Sequence, residues 1–87
     1  GEEFLFVFFP CGEDLVMRIA ERIRSYVAQT PVRVEKPQLW DLNVTISLGT
    51  TCLRQGSEST VEALLARADK ALYRSKADGR NCITYEN

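Results

Sequence analysis

The sequence predicts an α/β (α+β) fold in which two helices cover a sheet, and three observations carry that prediction. Phe4 to Phe9 reads FLFVFF, a continuous apolar run closed by Pro10. Two longer stretches, beginning near Glu13 and Thr60, repeat apolar residues at helical spacing. Between them, Val44, Ile46 and Leu48 alternate with Thr45, Ser47 and Gly49, the period of a strand.

Taken in order, the 4–9 run is too short and too aromatic for a helix, and the proline stop marks a strand covered on both faces. Leu15, Ile19, Ile23 and Val27 then step by four, with Val16 and Tyr26 widening the stripe and Arg18, Glu21, Arg22 and Arg24 mostly outside it. Glu13 and Asp14 complement the positive end of the helix dipole, and Thr30 and Pro31 stop a helix spanning about 13–29. Residues 32–42 read as a short strand and a loop interrupted by Pro37, leading into a strand over 43–51.

Gly56 and its hydroxyl-bearing neighbours mark a loop. Ser59 or Thr60 can cap the second helix, Ser59 with Glu62 having capping-box spacing. Val61, Leu64, Leu65, Ala68, Leu72 and Ser75 form its inner stripe, and Gly79 its C-terminal cap. Residues 82–85 make a last short strand. A buried strand at 4–9 needs neighbours on both sides, and few segments can supply them, so either the sheet is small or another segment completes it.

A chain of 87 residues makes one small domain at most, folding by itself or as part of something that folds. Its 11 basic and 12 acidic residues nearly cancel, which argues against nucleic-acid binding by counterion release. No apolar run approaches the roughly 20 residues needed to span a bilayer. The chain therefore reads as soluble and cytoplasmic, without membrane contact of its own, although other domains of a parent protein could be membrane-anchored. Cys11, Cys52 and Cys82 lack any CxxC pairing, which speaks against a disulfide framework or zinc site. Histidine is absent, so enzymatic chemistry would fall to carboxylates, Lys, Arg and a hard metal.

Three stretches meet in one arrangement. GEEFLFVFFP at the start resembles the GG(D/E)EF signature of diguanylate cyclases without its first glycine. VTISLGTT at 44–51 resembles the family's Val/Ile-Thr-Val-Ser-Ile-Gly strand, and ALLARADKALYRSKADGRN at 63–81 its closing helix. On that ordered set the chain is similar to the C-terminal part, here residues 1–87, of a single GGDEF domain. The resemblance implies helices on a mainly antiparallel sheet like the palm of polymerases and class III nucleotide cyclases, with a central N-terminal strand missing. It also implies condensation of two GTP into cyclic di-GMP with loss of two pyrophosphates, for second-messenger signalling in bacteria.

The same resemblance implies residue roles. Gly1 falls in the hairpin turn that approaches the nucleotide phosphates, where a residue without a Cβ is suited. Glu2 corresponds to the carboxylate that binds Mg²⁺ (or Mn²⁺) and helps deprotonate the attacking hydroxyl. Glu3 corresponds to the second acidic position, as metal ligand or orienter. Lys76 and Arg80 correspond to cations that contact the GTP phosphates, and their spacing of four suggests one helix face. Asp69 and Asn81 read as hydrogen-bonding residues, and Tyr73 and Trp40 as packing residues.

A metal-binding Asp, the guanine-reading residues and the inhibitory RxxD site would lie upstream of Gly1. The 87-residue chain alone is accordingly expected to be inactive, and the parent protein a homodimer. The alternative reading is a degenerate GGDEF module that binds nucleotide or a protein partner without catalysis.

Overall fold

In the computed structural model, the described residues are Phe4, 12–53 and 60–87. The strand expected at 4–9 thus lies, Phe4 apart, outside them. The element order is α1 (Glu13–Gln29), β1 (Val32–Val34), β2 (Trp40–Leu42), β3 (Leu48–Thr50), α2 (Val61–Ala77) and β4 (Ile83–Tyr85).

Helix α1 has the bounds its pattern predicts, with Glu13 and Asp14 in the first turn and Thr30 as C-cap. Its buried line is Val16 and Ala20, while Leu15, the first member of the expected step of four, and the flanking Tyr26 are exposed. Helix α2 starts at the Thr60 cap, whose hydroxyl accepts from the Ala63 amide at 3.1 Å. Ala71 and Ser75 are its fully covered positions, and Val61 and Leu65 remain exposed.

β3 and β4 pair in parallel, with Leu48 opposite Ile83, Gly49 opposite Thr84 and Thr50 opposite Tyr85. Parallel neighbours need a crossover, and α2 is that crossover. The strand expected at 43–51 is shorter than its alternation suggests, because only Leu48–Thr50 has a ladder partner among the described residues. Successive strand residues face opposite sides. Thr84 meets Ser75 of α2 and Thr50 meets Met17 of α1 (Thr50 Oγ1 to Met17 Sδ, 3.5 Å), so the two helices cover opposite faces of the pair.

Gly49 explains how closely α2 can sit. A Cβ there would lie against Ala68 O and Leu72 N, and 2.7 Å from Leu72 Cα, all of them helix backbone. Only glycine permits this approach of two backbones.

β1 and β2 form an antiparallel pair where the sequence predicts a short strand followed by a loop, with Val32 opposite Leu42 and Val34 opposite Trp40. On the other face Arg33 Nε donates to Asp41 Oδ1 at 3.2 Å. Trp40 is 46% exposed, so the packing role expected of it is unfilled among the described residues. The sheets of the described residues are thus one antiparallel and one parallel pair. No described helix is long and apolar enough to cross a membrane.

Candidate functional site

Helix α2 ends where its two candidate cations begin. After the cap at Asp78, Gly79 takes φ 111°, and the Arg80 amide donates back to Ser75 O at 3.0 Å. That six-to-one bond with a left-handed glycine is a Schellman arrangement, and it puts Gly79 one position past the cap rather than at it. Arg80 (φ 64°) and Asn81 (φ 50°) continue the left-handed path.

Lys76 is in the last helical turn, whereas Arg80 lies beyond the helix. The helical i,i+4 geometry suggested by their spacing therefore does not apply, because periodicity stops at Ala77. Both residues are exposed. Lys76 lines a shallow depression of about 270 Å³ with Asp69, Leu72 and Tyr73. Tyr73 is 76% exposed at its rim, which is not the burial expected of a packing residue.

The ground beneath this end of α2 is polar, and no buried side-chain nitrogen or oxygen among the described residues lacks a partner. Ser75, with no exposed surface, donates to Leu48 O at 2.8 Å and lies 2.8 Å from Thr84 Oγ1. Its carbonyl also accepts from Cys82 Sγ at 3.3 Å. Further along α2, Arg67 Nε donates to Thr51 Oγ1 at 3.1 Å and its Nη2 to Cys52 O at 3.0 Å. Lys70 and Arg74 pair with Glu86 at 3.3 and 3.6 Å.

A contact the sequence did not announce comes from α1. Arg24 Nη1 donates to Asn81 Oδ1 at 2.8 Å, while Nε and Nη2 donate to the Glu21 carboxylate at 2.8 and 2.6 Å. The hydrogen bond from Arg24 holds the Glu21 carboxyl below its ordinary range, partly opposed by desolvation. The same bond raises the Arg24 guanidinium. The Asn81 amide donates to Ser47 Oγ at 3.1 Å. No local signal marks Arg24, since the helical pattern places it off the apolar stripe and its partner is 57 residues away.

Gly1, Glu2 and Glu3 lie outside the described residues. Among the described residues, no group of three or more His, Cys, Asp or Glu side chains could hold a metal ion. The candidate ligand Glu2 offers carboxylate oxygen, the donor type that Mg²⁺ prefers.

Residues 1–82 match the family described as diguanylate cyclase, GGDEF domain. The chain belongs to the GGDEF family. It is 43% identical over 83 residues to the response regulator PleD of Caulobacter vibrioides, covering 95% of this chain and 18% of that protein. It is 38% identical over 84 residues to diguanylate cyclase A of Treponema denticola, covering 97% of this chain and 22% of that one. The chain thus spans about a fifth of the length of these relatives. Its fold is similar to the GGDEF domain of DgcB from Caulobacter crescentus, solved in complex with c-di-GMP. That match has a TM-score of 0.75 and 29% identity, and covers 85% of this chain and 41% of that one.

Proposed function

We propose that residues 1–87 are the C-terminal part of one diguanylate cyclase catalytic domain, which joins two GTP molecules into cyclic di-GMP. The observation that carries this reading is the GGDEF match over residues 1–82, which includes the Gly-Glu-Glu-Phe stretch and both candidate cations. Relatives named diguanylate cyclases support it.

In each half-reaction the 3′-hydroxyl oxygen of one GTP bonds to the α-phosphorus of the other. The bond from that phosphorus to the pyrophosphate breaks, and pyrophosphate leaves with the electron pair. Glu2 takes the hydroxyl proton and, with Glu3 as second ligand or orienter, would hold Mg²⁺ or Mn²⁺. A metal held there would supply neutralisation of phosphate charge and a more acidic hydroxyl. Gly1 lets the backbone approach the nucleotide, Lys76 supplies a point charge, and Arg80 a planar fork for paired phosphate oxygens. Two GTP-loaded domains facing one another make the reaction symmetric, which calls for a homodimer. The reading carries with it a cytoplasmic location, since GTP is its substrate.

The test uses the complete GGDEF domain that carries this segment, incubated with GTP and Mg²⁺ and assayed for cyclic di-GMP by chromatography. Product should form, and Glu2→Gln should lower kcat by at least about a hundredfold, the usual contribution of a positioned base. Absence of product from the complete domain, or an undiminished Glu2→Gln variant, refutes the reading.

A further inference from the structure

Arg80 and Asn81 adopt φ values of 64° and 50°, a region sterically disfavoured for residues with a Cβ. Such a turn persists only where its surroundings over-determine it. Three elements converge on it. Helix α2 accepts the Arg80 amide at Ser75 O, 3.0 Å. Ser47, just before β3, accepts the Asn81 amide at 3.1 Å. Helix α1 reaches the Asn81 side chain through Arg24 at 2.8 Å.

Each participant suits this task. Asparagine tolerates the left-handed region better than other side chains and offers an amide oxygen to an incoming donor. Arg24 is a rigid fork whose other two nitrogens are held by both oxygens of Glu21, so its aim at Asn81 is set before the turn is engaged. Its side chain is 21% exposed, and all three of its nitrogens are occupied by protein acceptors.

We infer that Arg24 is a positioning residue for Arg80: through Asn81, and backed by Glu21, it holds the 79–81 turn so that the Arg80 guanidinium is presented to nucleotide phosphate oxygens. Arg24 acts through the turn and does not touch the nucleotide. The inference rests on the reading of Arg80 as a phosphate ligand.

The complete domain is titrated with 3′-deoxy-GTP and Mg²⁺, a probe that lacks the attacking hydroxyl, and dissociation constants are measured for Arg24→Met, Arg80→Ala and the double variant. Arg24→Met keeps the aliphatic stem and should weaken binding about tenfold, within the coupling range of residues sharing one network. In the Arg80→Ala background it should add nothing, because the group it positions is gone. A purely structural role would instead multiply the two losses, and that outcome, or unchanged binding by Arg24→Met, overturns the inference while leaving Arg80 as a ligand. Unchanged binding by Arg80→Ala overturns the phosphate role of Arg80 and this inference with it. If Arg24→Met fails to fold, Asn81→Gly keeps the left-handed backbone, removes the acceptor and is subject to the same comparison.

Discussion

Replacing Gly49 by alanine adds one methyl group where β3 passes beneath α2. Backbone strain is not at issue, because Gly79 is the positive-φ glycine among the described residues and Gly49 is not. Local propensity alone would therefore favour the change by roughly 0.5–1 kcal/mol, since alanine loses less freedom on folding. The tertiary structure reverses the sign. The new Cβ would press on Ala68 O and Leu72 N and lie 2.7 Å from Leu72 Cα. Ordinary carbon contacts are about 3.5–4.0 Å, so the helix would have to retreat by about 1 Å.

Rotating a side chain aside would not relieve the clash, because the three nearest obstructing atoms are backbone. Retreat also stretches the Ser75 bond to Leu48 O and the Arg67 bonds to Thr51 and Cys52 O. Overpacking of this kind costs roughly 1–3 kcal/mol and an unsatisfied buried partner a further 1–3, leaving, after the propensity gain, a net loss of about 1–5 kcal/mol. A small domain has about 5–15 kcal/mol in total, so the effect should be large. Urea unfolding of the complete domain, followed by far-ultraviolet circular dichroism, should show a lower midpoint with an unchanged slope. A Gly49→Ala midpoint equal to or above that of the parent would refute the close-approach argument.

Ser75→Ala leaves Leu48 O without its side-chain donor in a site with no solvent access, and should cost about 1–3 kcal/mol in the same unfolding assay; an unchanged midpoint would deny the buried hydroxyl a stabilising role. Glu21 has a folded pKa below its ordinary 4.5, so the stability it contributes is present above that value and lost as pH falls through the folded value. Glu21→Gln should accordingly flatten the acid side of the thermal-midpoint profile below about pH 4.5, and an identical profile would show that the Arg24 pair does not persist in solution.

Much of the fold was legible because its signals are local. The apolar step of four and the acidic first turn delimit Glu13–Gln29, and a hydroxyl cap and a terminal glycine delimit Val61–Ala77. Strand pairing was less legible. Trp40–Leu42 is a strand only because Val32–Val34 lies beside it, and three residues are too few to display a period. Alternation over 44–49 likewise named a strand without showing that its partner is β4 or that the pairing is parallel.

The candidate site divides in the same way. Lys76 and Arg80 could be named from motif residues, and Gly79 could be expected to stop the helix between them, because capping depends on neighbours in the chain. By itself the sequence determined the two helices, their caps and the family resemblance, all written in residues a few positions apart. Only the tertiary structure decided that Gly49 admits a helix backbone, that Ser75 joins both strands, and that Arg24 reaches Asn81 across 57 residues. Those three facts are matters of distance between segments remote along the chain, and a local pattern carries no measure of that distance.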